Sequence, residues 1–315
     1  MATEQISCAP DDGINESSNE DLVAVFEAEG LTDLLVLDGA TSVADTNYLD
    51  ARQGDVAWFV QAFAAELGKT LDAARSQADS VHLASAAVQR AYRDRTAGQA
   101  VPLYAHPLAA LTWIRIRQGA EGLAVSLYCL GDCKTFALDA QGTVTDLDPY
   151  VNPFETVVQD AVAALAQEGV SDPDQRRVRL LPLLRARREA QHGARAPSVL
   201  CLAPQGPYQA REYALHLPSD TTIVAMSDGF NRLADAYGLY TQAELVRQCR
   251  GAGLASLMAQ LRAFETARAA AALAVKNADD ASAVMWTPDR ANLLHSSKRP
   301  DRSGPPSARP TEETA

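Results

Sequence analysis

The sequence predicts an α+β protein in which antiparallel sheet is covered by helices. Strand-like apolar runs come in close pairs joined by short turns, as at residues 21–27 with 33–38 and 123–130 with 134–138. Helical patterns fall in blocks between the strands and do not alternate with them one for one, which argues against a doubly wound parallel sheet. The chain has 315 residues, 47% of them hydrophobic, enough to build a core without disulfide or metal staples.

The elements follow in order. Residues 21–27 (DLVAVFE) and 33–38 read as strands. Residues 55–67 (DVAWFVQAFAAEL) set Trp58, Phe59, Ala62 and Phe63 on one helical stripe, a core face. A second helix is expected over 69–94. Strands are expected at 123–130 and 134–138, and helices at 154–168 and 174–190. Strands at 213–217 and 221–227 precede helices at 241–249 and 252–276, the last lengthened by the alanine-rich run RAAAALAVK. A strand at 281–286 closes the series. No internal repeat is visible. Residues 1–13 are expected to be a disordered N-terminus, 14–289 one globular domain, and 290–315, rich in Pro, Ser and charge, a disordered tail.

Composition excludes some functions. With 28 Lys and Arg against 40 Asp and Glu, the net charge is −12, so nonspecific binding to nucleic acid or to an anionic membrane is not expected. No apolar run reaches the roughly eighteen residues of a spanning helix. The N-terminal residues lack the basic start and apolar core of a secretory signal. Five scattered cysteines, an odd number, suit a reducing cytoplasm better than a disulfide framework.

The chemistry lies in the turns. Acids stand at or beside strand ends in five places: Glu20 and Asp21, Asp38, Asp132, Asp228, and Asp279 with Asp280. One Asp-Gly after a strand is ordinarily only a turn. As a set, carboxylates gathered at strand ends repel one another and call for a cation. Oxygen-only ligation suits Mg²⁺ or Mn²⁺, and His82, His106, His192, His216 and His295 stand apart with no zinc spacing. Two hard cations sharing a carboxylate are a standard device for phosphate ester hydrolysis.

The series Asn19-Glu20-Asp21, Asp38-Gly39, Gly131-Asp132-Cys133, Ser227-Asp228-Gly229 and Asp279-Asp280 resembles, in order and spacing, the metal-dependent protein phosphatases of the PPM (protein phosphatase 2C-like) family, in the bacterial variant whose second motif reads D-G-A-T. The likeness spans roughly residues 14–289. It implies a four-layer α-β-β-α sandwich, two antiparallel sheets face to face with helices outside. It implies two Mn²⁺ or Mg²⁺ ions, with a third, weaker site. Asp38 would bridge the two ions and, through them, activate the attacking water, with the Gly39 carbonyl on one of them. Asp228 and Asp279 would complete the second site. Glu20 would bind directly or through water, Asp21 through water, and Asp132 would serve the third ion. The implied activity is hydrolysis of phosphomonoesters, in the first place phosphoserine or phosphothreonine in a protein substrate, with a small phosphorylated metabolite as the other choice.

The sequence also departs from that pattern. Residues 15–18 are Asn, Glu, Ser and Ser, where many members carry a phosphate-gripping arginine. Arg185, Arg187 and Arg188 are candidates to replace it, although three basic residues on a helix ordinarily mark a solvated face. Ala40 stands where many members keep a histidine, and Cys133 replaces a serine. These departures support a second reading, a phosphatase-like scaffold, weakly active or inactive, that binds metal and a protein partner. A serine-hydrolase elbow at AMSDG fails because the only later histidine is His295. A calcium loop at CAPDDGINESSNE fails because Gly13 at its sixth position puts Cys8 at its first.

Overall fold

Period-two alternation along one strand sets the layers of the molecule. The computed structural model describes residues 1–10, 19–49, 52–170, 172–268 and 278–288. In it, Leu31–Gly39 forms β3, paired antiparallel with β2 (Asp21–Ala28) on one side and β4 (Leu108–Gly119) on the other. Leu35 and Leu37 of β3 face α1 (Asp55–Thr70) and α2 (Gln77–Arg95), joining Phe59, Phe63, Val81, Val88 and Trp113 in one buried cluster. Leu34 and Val36 face the opposite way, into the layer between two sheets. Asp38 continues that second row by parity.

One sheet runs β2-β3-β4-β5-β9, with β5 at Gly122–Leu130, β9 at Arg211–Leu217, and the short β8 (Leu200–Cys201) against β4. The other runs β1-β11-β10-β6-β7, with β1 at Ala2–Cys8, β6 at Lys134–Leu138, β7 at Val144–Asp146, β10 at Thr222–Met226 and β11 at Ala281–Thr287. All pairings are antiparallel. Ile114, Leu127 and Cys129 of the first sheet meet Ile223, Ala225, Val284 and Trp286 of the second. The outer face of the second sheet, through Val224, Met226 and Met285, is covered by α6 (Gln242–Ala252) and α7 (Leu254–Arg268). This is the four-layer α-β-β-α order. Two further helices, α3 (Pro153–Gln167) and α4 (Pro173–Gly193), pack on each other through a small cluster of Val162, Leu165 and Leu180. Among the described residues, no helix is long and apolar enough to cross a membrane.

Several expectations are corrected. Ala2–Cys8, within the segment expected to be disordered, is a strand paired with β11 along its whole length, from Ala2 opposite Thr287 to Cys8 opposite Ala281. It is an edge strand with one solvated face, so its side chains are mostly polar, and only Ile6 and Cys8 pack on the outer core. β4 was not anticipated: the run LAALTWI is buried on both faces and carries no polar alternation to mark it. The helix expected over 69–94 begins instead at Gln77. Arg115, in a buried ion pair with Asp33 (2.8 Å), donates to the carbonyls of Asp72 and Arg75 and holds that linker out of the helix, and Ser76 caps the new start. Asp228 opens a one-turn helix, α5 (Asp228–Asn231). Residues 11–18, 269–277 and 289–315, which include the end of the helix expected over 252–276 and the expected tail, lie outside the described residues.

β1 also supplies a cap. The Glu4 carboxylate accepts from the backbone N–H of Leu254 at 2.7 Å, the first residue of α7. Replacing Glu4 by Ala is expected to cost about 1 kcal/mol of stability, read as a lower denaturation midpoint at unchanged slope in urea.

Candidate metal and active site

Asp38 reaches the end of the inter-sheet layer because β3 continues one step past Val36. The next residue has to be glycine. A Cβ on Gly39 would lie 2.3 Å from the Glu20 carbonyl oxygen and 2.6 Å from Val56. That close approach is fixed by the Gly39 N–H, which donates to Glu20 O at 3.0 Å. β2 therefore starts hard against the end of β3, and the register sets Asp21 directly opposite Asp38. The Asn19 side chain accepts from the Asp21 N–H at 2.9 Å, and the Asp280 carboxylate accepts from the Glu20 N–H at 3.1 Å. The first and last acidic turns are thus joined.

The remaining acids come from the ends of other strands. Gly131, at φ +79, turns the chain between β5 and β6 and aims Asp132 into the site; a Cβ there would meet Ala110 at 2.5 Å. Arg211, paired with the buried Asp148, donates to the Gly131 carbonyl at 2.6 Å and holds the turn. Asp132 itself accepts from the Asn152 amide at 2.7 Å. After β10, the Asp228 N–H donates to the Asp38 carboxylate at 3.1 Å. Asp279, just before β11, is paired with Arg232 at 2.9 Å.

These elements bring Asp38, Gly39, Asp132, Asp228 and Asp279 onto one pocket of about 320 Å³, with Ala40, Thr41, Arg187 and Arg188 on its walls. Glu20 and Asp21 do not line it. Asp21 is buried beside Asp38, with its Oδ2 lacking any hydrogen-bond partner. Among the described residues, no three His, Cys, Asp or Glu side chains close on one point as a finished cage. What the pocket does hold is crowded negative charge. Burial raises the Asp38 carboxyl well above its usual range, and Asp228, Asp21, Asp132 and Asp279 raise it further. Asp21 is raised by burial, partly offset by the Ser227 hydroxyl, and again by Asp228, Asp280 and Asp279. Asp228 is pushed up to about 7, by desolvation first and then by Asp279 and Asp132, although its side chain opens to pocket solvent. Carboxylates that raise one another in this way, beside an orphaned buried oxygen, form a donor set suited to hard divalent cations with water completing the shell.

Cys133 is buried, and burial first and then the surrounding acids push its thiol well up, which does not suit a nucleophile. It packs in the inter-sheet core. The Ala40 N–H donates to Leu108 O at 3.0 Å, and the carbonyls of Ala40 and Thr41 both accept from Arg188. Tyr150, Asn152 and Phe154 also line the pocket and were not singled out from sequence. The Asn-Pro pair at 152–153 marks the start of α3, where Asn152 is the N-cap, but nothing local ties that start to Asp132.

No family model matches the chain, and no curated protein matches it. Among solved structures it is similar to the S. agalactiae serine/threonine phosphatase, at 12% identity, covering 91% of this chain and 99% of that one with a TM-score of 0.49. It is similar to the Mycobacterium tuberculosis serine/threonine phosphatase PstP/Ppp, at 14% identity over 92% and 99% with a TM-score of 0.49. It is also similar to MsPP, a PPM Ser-Thr phosphatase from Mycobacterium smegmatis in complex with cacodylate, at 11% identity over 92% and 99% with a TM-score of 0.46. Likeness of this degree assigns no residue and no chemistry.

The charge crowding has a thermodynamic sign. Asp21, Asp38 and Asp228 hold their protons more tightly in the folded chain than unfolded, so their contribution to stability is present at low pH. It is lost as pH rises from the unfolded value near 4 through the raised folded values, about 7 for Asp228. In metal-free protein, Asp38→Asn is expected to raise Tm by about 2–4 °C at pH 8, a gain of about 1 kcal/mol, and to leave a smaller gain at pH 5. Scanning calorimetry in EDTA at the two pH values reads both.

Proposed function

We propose that this chain is a metal-dependent phosphomonoester hydrolase of the PPM type, acting on phosphoserine or phosphothreonine in protein substrates. The observation that carries the reading is the convergence of Asp38, Asp132, Asp228 and Asp279, from the ends of strands in both sheets, on one pocket. Asp38, with the Gly39 carbonyl, Asp228 and Asp279 would hold two Mn²⁺ or Mg²⁺ ions. Asp132 would serve a further, weaker site, and Glu20 and Asp21 would support the cluster from behind. Bound there, divalent cations would supply Lewis acidity toward phosphoryl oxygens and lower the pKa of a bound water.

The chain's own residues set the position of that chemistry. Asp38 is fixed by strand parity and by the Asp228 N–H. The loop that follows it is fixed on α4: Arg188 holds the carbonyls of Ala40 and Thr41, and Arg185 donates to Val43 O at 2.9 Å while pairing with Asp45 at 2.7 Å. These contacts tie the wall beside Asp38 to α4. The scaffold reading rests on one specific observation, that Asp279 is already engaged by Arg232.

The two readings part in one assay. The wild type is expected to hydrolyse p-nitrophenyl phosphate with Mn²⁺ and not with EDTA, and Asp38→Asn to lower kcat by on the order of 10³-fold. Wild-type protein that binds Mn²⁺ in a calorimetric titration without turning over would be the scaffold.

A further inference from the structure

The pocket carries several acids on its floor, yet any phosphomonoester entering it is itself an anion. Two guanidinium groups line the pocket, Arg187 and Arg188. Arg188 is buried and committed to the carbonyls of Ala40 and Thr41, at 2.9 and 2.7 Å. Arg185, on the same helix, is committed to Val43 and Asp45 and does not line the pocket. Arg187 differs from both. Among the described residues it makes one hydrogen bond, to the Asn152 side-chain oxygen at 3.2 Å, and no ion pair. Its guanidinium lies over the Phe154 ring, 3.6 Å from the centroid.

These contacts fix the plane of the group and leave most of its five donors unused. Asn152 sets its position relative to the acids. The same amide donates to Asp132 at 2.7 Å, while its oxygen accepts from both the Phe154 N–H and Arg187. Arg187 is therefore a half-buried, pre-oriented cation on the wall above the acidic floor, joined to that floor by one side chain. A planar fork of this kind suits the paired oxygens of a phosphoryl group.

We propose that Arg187 binds the phosphoryl oxygens of the substrate. The inference rests on the hydrolase reading for the identity of the ligand, a phosphomonoester or its product, inorganic phosphate. Arg187 lies on α4, far along the chain from the acidic turns, so the phosphate grip and the candidate metal ligands come from separate parts of the fold.

The test compares wild type with Arg187→Ala, Arg187→Lys and Arg179→Ala, the last an exposed arginine of the same helix. Binding of inorganic phosphate to Mn²⁺-loaded protein is measured by titration calorimetry, Mn²⁺ binding is measured in the same way, and p-nitrophenyl phosphate kinetics are recorded separately. Arg187→Ala is expected to weaken phosphate binding and to raise KM by about tenfold to a hundredfold, with Mn²⁺ affinity unchanged and kcat changed far less. Arg187→Lys recovers part of the loss, and Arg179→Ala behaves as wild type. Phosphate affinity in Arg187→Ala within about twofold of wild type overturns the inference, as does a wild type that binds no phosphate. A wild type that binds phosphate but does not turn over sinks the hydrolase reading alone, and the phosphate titrations still decide Arg187. If Arg187→Ala does not fold, Arg187→Gln takes its place.

Discussion

Like charge held at one end of the inter-sheet layer is the constraint on which the rest of this structure depends. The β2–β3 register sets Asp21 against Asp38, and the turns after β5 and β10 and before β11 bring Asp132, Asp228 and Asp279 to the same place. Such a cluster is costly in a folded chain unless its surroundings offset it. The offsets here are specific. The Asp228 N–H serves Asp38, the Asn152 amide serves Asp132, and Arg232 serves Asp279. Behind them the two sheets supply a rigid apolar base, with Trp286 and Ile114 fully buried. Asp21 Oδ2 alone among these acids is left buried without a hydrogen-bond partner.

The polar groups outside the cluster hold its frame. Arg211, clamped by Asp148, carries the Gly131 carbonyl and so the Asp132 turn, and Tyr213 donates to the same carboxylate at 2.9 Å. Arg185 and Arg188 carry the loop that follows Asp38. Three arginines within four positions of α4 thus divide between two tasks, the loop for Arg185 and Arg188 and the pocket wall for Arg187, and only their partners distinguish them. Helical spacing sets Arg185 and Arg188, three apart, on the side that meets the loop, and turns Arg187 away from them toward Asn152 and Phe154.

Much of the fold was legible because its signals are local. β3 and β5 show apolar runs ended by Asp-Gly or Gly-Asp, and α1 shows its stripe of Trp58, Phe59 and Phe63. β4 was not legible from its first half, Leu108 to Trp113, which is buried on both faces and looks like any apolar segment, and the alternation that follows, Ile114 to Arg117, is only four residues long. β1 was missed for the opposite reason: an exposed edge strand looks like a polar tail until β11 is beside it. The acids were legible as a series, but their separation into pocket-lining and buried members was not. Asp21 and Asp38 look alike in sequence, and only the folded chain, which pairs them across β2 and β3, leaves Asp38 on the pocket and buries Asp21. Asn152 escaped because its two partners lie 20 and 35 positions away.

The strand order of the second sheet has a consequence for how the protein is made. Among the described residues, β11 is the last strand in sequence and sits between β1, the first, and β10. A chain emerging from the ribosome can assemble the six-stranded sheet and its helices, but the other sheet stays split until residues 281–287 arrive. Asp279 arrives with them. Closure of the sheet and completion of the acidic pocket are therefore one late event, which pairs residues 2–8 with residues 281–287 at high contact order. A nascent or C-terminally truncated chain would hold the pocket's other acids without the strand that completes it.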